Sequence, residues 1–172
     1  GNAKWKYPWK IFLNNAQIAQ PLSLTEDTFL ISAGYGKGAE CLEISKNGGD
    51  YILSTVWKSK HLKTKFSNAI LHEGSIYGYS ENQLVCLDAK TGDLNWRGKK
   101  YGYGRILLAG DKLVLLGNTG ELAVVQANPD SFEEIYSGQL LSNARCWNGP
   151  ALVNGYLFAR NGEQIACFDW AK

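Results

Sequence analysis

Nine side chains in this sequence carry the chemistry of molecular recognition: Tyr35, Lys65, Tyr103, Arg105, Arg145, Trp147, Asn148, Arg160 and Glu163. Arginine presents a planar fork that matches carboxylate or phosphate oxygens, while tyrosine and tryptophan offer large rigid faces. All nine lie in or beside stretches rich in glycine and asparagine, where a rigid scaffold commonly carries its contacts. Such a set suits a protein segment, or a polymeric or anionic ligand, better than a small apolar molecule.

Catalytic chemistry is poorly supplied, and the sequence assigns no catalytic residue. The four cysteines, at 41, 86, 146 and 167, are too sparse for a disulfide scaffold and form no CxxC pair. Cys41, Cys86 and Cys167 sit at matching places in apolar runs and read as small buried hydrophobes. Cys146, on a connection beside Trp147, is the one with some claim to reactivity. No GxSxG elbow is present, and His61 and His72 fall in polar connections. No His, Cys, Asp or Glu has metal-ligand spacing. The glycines of 34–38 and 101–104 precede no helix, so they read as loops and not as phosphate cradles.

Composition narrows the classes further. Of 172 residues, 45% are hydrophobic and 12% aromatic, which is enough apolar surface to offset the entropy of ordering and excludes a disordered chain. No apolar run approaches the roughly 18 to 20 residues of a membrane-spanning helix. Eighteen basic residues against 16 acidic ones leave a net charge of +2, which does not call for nucleic acid as a partner. The one stretch resembling a nucleic-acid surface, Lys58, Lys60, Lys63 and Lys65 around His61, reads better as lysines guarding an outer strand against edge pairing. Methionine is absent, so Gly1 reads as a processed end, a cleavage scar or the start of a fragment, and residues 1–13 do not have the pattern of a signal peptide.

The elements that must hold these loops are repeats. One phrase recurs four times: an apolar run, a tight polar turn, a second run, Gly or Asn punctuation, and a third run. Aligned on the second run, Leu30, Tyr77, Val114 and Phe158 are equivalent, 37 to 47 residues apart. That period matches propeller blades, which repeat every ~40 to 50 residues. The second copy predicts strands over 68–71, 75–79, 83–87 and 93–97. Its first and third strands are continuously apolar, as expected of a sheet covered on both faces, and no sustained helical period occurs anywhere. The expectation is an all-β protein of four-stranded antiparallel blades, approximately 17–58, 67–98, 105–137 and 149–172. Residues 1–13, with Trp5 and Trp9, are expected to supply an extra outer strand, which completes the last blade if the chain closes on itself, or the last blade of a second copy if two copies associate.

The segment from Cys86 to Trp96 resembles the tryptophan-docking motif of quinoprotein-type propellers through Asp88, Thr91, Gly92 and Trp96. In that motif Asp88 and Thr91 would accept N–H bonds of their own turn, Gly92 would supply the unusual φ, and Trp96 would pack across to the neighbouring blade. The first repeat keeps only Trp57, after an insertion, and the third has Gln126 and Tyr136 in place of Asp and Trp. The whole chain resembles the C-terminal half of bacterial PQQ-like propeller repeat proteins, including outer-membrane assembly scaffolds built from such blades. The resemblance implies four blades, half of a seven- or eight-bladed ring, exposed blade faces prone to self-association, and a periplasmic or other extracytoplasmic setting. It implies a binding or scaffolding domain with no cofactor. The alternative is a fragment of a quinoprotein dehydrogenase, with PQQ, calcium and an adjacent cysteine pair. In such a propeller the nine recognition residues gather on one rim, because the loops between the second and third strands and the connections between blades share one face.

Overall fold

The computed structural model describes residues 1–11 and 15–170, and among these there are fifteen strands and no helix. The strands form four antiparallel sheets, taken in chain order. Blade 1 holds β1 (Leu22–Ser23), β2 (Thr28–Ala33), β3 (Gly38–Asn47) and β4 (Asp50–Ser59). Blade 2 holds β5 (Ile70–His72), β6 (Ser75–Ser80), β7 (Gln83–Asp88) and β8 (Leu94–Lys100). Blade 3 holds β9 (Arg105–Ala109), β10 (Lys112–Leu116), β11 (Glu121–Gln126) and β12 (Glu134–Gln139). Blade 4 holds β13 (Ala151–Val153), β14 (Tyr156–Arg160) and β15 (Ile165–Asp169).

Turn chemistry sets the hairpins. Glu73-Gly74 and Asn154-Gly155 have positive φ at both central residues, the geometry whose twist matches that of the flanking strands. The pairing then follows the repeats: Leu22 lies opposite Leu30, Ile70 opposite Tyr77, Leu107 opposite Val114 and Ala151 opposite Phe158. The insertion in the first repeat lengthens one hairpin. β3 and β4 run ten residues each to a turn at Gly48-Gly49, both at positive φ.

Apolar side chains on the inner strands point alternately to the two faces and fill the spaces between blades. Leu30, Cys41 and Trp57 of blade 1 pack with Ile76, Val85 and Leu87 of blade 2. Tyr77, Cys86 and Trp96 of blade 2 pack with Leu113, Leu115 and Val125 of blade 3. Val114 and Leu122 of blade 3 pack with Leu157 of blade 4. Each fully buried Leu or Val contributes roughly 1.5 to 3 kcal/mol, so these seams are the principal source of stability.

Tryptophans fasten two of the seams. Trp57 Nε1 donates to the Ala89 carbonyl of blade 2 at 3.2 Å, and Trp96 Nε1 donates to the Asn128 carbonyl of blade 3 at 2.8 Å. The turn that receives Trp57 is built by Asp88, whose Oδ1 accepts the N–H groups of Lys90 and Thr91 at 2.8 Å, and by Thr91 Oγ1, which accepts from Asp93 N at 3.2 Å. Gly92 sits there at φ +75, and a Cβ on it would lie 2.4 Å from the Trp57 ring. Only glycine accommodates both that dihedral and that contact.

Two expectations need correction. Residues 1–11 form no strand; residues 12 and 13 of the expected outer strand lie outside the described residues. Instead of extending blade 4, the N-terminal segment covers the free face of blade 1. Trp5 stacks on Phe29 with centroids 5.6 Å apart, Tyr7 Oη donates to Glu40 Oε2 at 2.7 Å, and Lys37 Nζ lies 4.1 Å from the Trp9 ring centroid. The face of blade 1 meets these rings with Phe29, Ile31 and Leu42. Blade 4 accordingly has three strands among the described residues. Secondly, Cys167 is exposed and not buried, unlike Cys41 and Cys86 at the matching positions. Among the described residues nothing covers its face of the sheet.

Candidate functional site

Connections between blades carry one large side chain each to a common cavity. Ile18, Phe66, Tyr103 and Trp147, together with Arg105, line a space of about 110 Å³. The first four occupy one repeat position: each stands four residues before the inner-strand residue that pairs with Leu30, Tyr77, Val114 or Phe158. Pseudo-symmetry therefore converts four distant positions in the chain into one apolar ring. Arg105, the first residue of β9, adds the one charged group among the described lining residues.

Tyr103 is held from both sides. Its backbone N–H donates to Asn118 Oδ1 at 3.0 Å, and Phe66 meets its ring edge-on at 5.6 Å. Gly102, at φ +72, lets the chain pass so close to Asn118 that a Cβ would overlap the amide oxygen. Lys65 lies beside this pair with Nζ 4.9 Å from the Tyr103 centroid and 4.4 Å from that of Tyr35. Its charge is met by Glu81 Oε2 at 3.7 Å, and Glu81 Oε1 also accepts from Tyr35 N at 2.9 Å. Lys65 is thus an internal pin joining the loops of blades 1, 2 and 3, with its charge already matched.

The arginines differ. Among the described residues every ion pair uses a lysine: Lys37, Lys58, Lys65, Lys99 and Lys112. Arg97 contacts His61 Nδ1 at 2.9 Å on the outer strand. Arg105, Arg145 and Arg160 pair with no carboxylate among the described residues. Arg145 stacks its guanidinium 4.9 Å from the Trp147 ring centroid, and Trp147 is 62% exposed. Burial lowers the pKa of Arg105 from its usual value, because the surrounding apolar groups disfavour its charged form.

The nine recognition residues divide into two groups. Tyr35, Lys65, Tyr103, Arg105, Arg145 and Trp147 are linked through the contacts just described. Asn148 and Arg160 line a separate cavity of about 250 Å³ on the outward face of blade 4 with Phe158 and Ile165. Glu163 lies in the adjoining turn, where its carboxylate accepts the Ser142 hydroxyl at 3.1 Å. Ile18 and Phe66 were missed. Their shared repeat position was legible in the sequence, but an apolar residue in a connection gives no chemical signal by itself.

Cys146 does not have the reactivity its loop position suggested. It is 1% exposed, its thiol donates to the Arg160 carbonyl at 3.1 Å, and burial raises its pKa. The four cysteines are separate and free, and among the described residues no three His, Cys, Asp or Glu side chains gather as metal donors. This donor set does not fit the calcium and cysteine pair that the alternative requires.

No protein-family model matches the sequence, and no curated protein matches it. Solved structures match through their backbones. BamB from Moraxella catarrhalis superposes at a TM-score of 0.54 and 13% identity, over 95% of this chain and 62% of its own. The computationally designed Ika8 protein superposes at 0.62 and 11% identity, over 87% of this chain and 45% of that one. A europium-containing methanol dehydrogenase is similar over 73% of this chain and 24% of its own, at a TM-score of 0.48, too low to carry an argument. The chain spans less than two thirds of each. At such identities the likeness is one of fold, and the chain has the fold of β-propeller blades.

Proposed function

We propose that the chain is a non-catalytic binding domain of an exported propeller protein, which recognises a segment of another protein on the face formed by its inter-blade connections. The observation that carries this reading is the convergence of Ile18, Phe66, Tyr103 and Trp147, one from each blade, on a cavity that also holds Arg105. Exposed aromatics and arginines around a small apolar depression are the residue types on which interface energy concentrates. A rigid scaffold presents them at little entropic cost, since strands hold both ends of each connection. The outward face of blade 4, with Tyr156 and Ile165 exposed, suits self-association as a second contact surface.

Photocrosslinking tests the reading. p-Benzoylphenylalanine in place of Trp147 is expected to capture a polypeptide, whereas the same residue in place of Tyr136, on the outermost strand β12, is not. Adding Arg105→Ala and Arg145→Ala to the first variant should cut capture at least about tenfold, as loss of interface hot spots does. Equal capture at 147 and 136, or capture that survives both arginine changes, removes this face as the site.

A further inference from the structure

The cavity at the inter-blade connections has a chemical asymmetry that narrows what can enter it. Its walls are apolar or aromatic on four sides, and its single charged group, Arg105, has no hydrogen-bond or ion-pair partner among the described residues. The guanidinium is half-buried, and the surrounding apolar groups lower its pKa, so a carboxylate reaching it would pair with a charge already partly withdrawn from water. Arg145, stacked on the lining residue Trp147, adds a second positive charge that no carboxylate among the described residues pairs with. The nearest lysine in the cluster, Lys65, is by contrast already matched by Glu81. The site therefore combines unspent positive charge with about 110 Å³ of apolar space, which is side-chain size and not domain size.

We infer that the cavity reads a two-residue feature of an extended protein segment: an acidic side chain whose carboxylate meets Arg105, next to a large apolar side chain that fills the ring of Ile18, Phe66, Tyr103 and Trp147. The inference rests on the binding-domain reading and adds the ligand chemistry to it. A guanidinium and a carboxylate match as a planar fork with two parallel hydrogen bonds. The apolar surroundings strengthen that pairing relative to water. The neighbouring apolar side chain supplies area burial and excludes water from the pair, the arrangement found at interface hot spots. A carboxylate alone would leave the ring unfilled, and an apolar residue alone would leave the half-buried Arg105 without a partner.

Selection of a random twelve-residue peptide library on the intact chain tests this directly. The enriched sequences are expected to place Asp or Glu beside Phe, Trp, Leu or Ile. Changing that acid to its amide, or changing Arg105→Gln in the protein, should each weaken binding at least about tenfold, about 1.4 kcal/mol. The two changes together should weaken it no more than either alone, because both remove the same pair. Arg105→Lys, which keeps the charge but not the fork, should restore the affinity only in part. Enriched peptides that lack an acid, or that bind the Arg105→Gln protein unchanged, overturn the inference while leaving the binding face in place. Peptides indifferent to both Arg105→Gln and Trp147→Ala, or no enrichment at all, overturn the face and the inference with it. Saturable binding of free PQQ that displaces the peptides and needs Arg105 would assign the cavity to a small aromatic carboxylate and overturn the peptide reading.

Discussion

The two end blades are built from the same repeat and meet different fates. Blade 1 turns Leu30, Cys41 and Trp57 toward blade 2, and its other face, with Phe29, Ile31 and Leu42, lies under Trp5, Tyr7 and Trp9 of the N-terminal segment. Leu42 is 0% exposed as a result. Blade 4 turns Leu152, Leu157 and Phe168 toward blade 3, but nothing among the described residues covers its outward face. Ile165 is 73% exposed there, and Val153, Tyr156 and Cys167 are exposed with it. A propeller blade is apolar on both faces because a ring gives it two neighbours. The contrast shows that an end face can instead be covered by irregular chain, provided that chain carries rings large enough to replace a blade.

The sharpest way to break this comparison is to place the same charge on both faces. Leu42→Asp would bury a carboxylate among Trp5, Trp9 and Phe29 and is expected to cost about 4 kcal/mol. Ile165→Asp should stay within about 0.5 kcal/mol, as surface changes do. Urea unfolding of the two variants measures both. A large loss at Ile165 would mean that its face is covered, and a small loss at Leu42 would mean that the N-terminal segment does not seal blade 1.

The seams offer a second contrast. Gly92→Ala puts a methyl group into the Trp57 ring at a positive φ, and the overlap and backbone strain together are expected to cost about 3 kcal/mol. Tyr136 pairs with Val124, as Trp57 pairs with Cys41 and Trp96 with Cys86, yet it is half exposed. Tyr136→Ala should therefore cost well under about 1 kcal/mol. Hydrogen exchange of β3 and β7 would locate the first effect, with protection lost on both sides of the seam between blades 1 and 2. Loss confined to the turn at Gly92 would show that the tryptophan tie contributes little.

The blades were legible because their signal is periodic. The registers of β6 with β7 and of β10 with β11 follow from apolar runs and turn residues that local chemistry fixes. The N-terminal segment was misread for a definable reason. Trp5 and Trp9 resemble the outer-strand tryptophans in residue type, but residue type does not say whether a ring reaches its face from a strand or from irregular chain. Cys167 shows the same gap, since its repeat position is that of buried Cys86 and its exposure depends on whether a neighbour exists. At the candidate site, Arg105 and Trp147 were visible as chemistry. Ile18 and Phe66 became functional candidates only once the pairing of the inner strands put four equivalent positions around one space.

The smallest of these effects probes how the cover on blade 1 is fastened. Burial of Glu40 would raise its pKa, but the Tyr7 hydroxyl and Lys58, 3.2 Å from Oε1, outweigh it and hold the carboxyl below its usual 4.5. A carboxylate whose pKa is depressed in the folded state favours folding in its ionised form. The contribution is complete above about pH 4.5 and is lost as the pH falls through the lower folded value. Acid should therefore loosen the Tyr7–Glu40 hydrogen bond before the blades unfold. The indole N–H signals of Trp5 and Trp9 are expected to shift below about pH 4.5 while that of Trp96, tied to the Asn128 carbonyl, stays in place. Glu40→Gln should remove the pH dependence and keep the aromatic cover, because stacking of Trp5 on Phe29 needs no charge. If the Trp5 and Trp9 signals move only with global unfolding, the cover is held by its rings alone, and the difference between the two end blades reduces to apolar area.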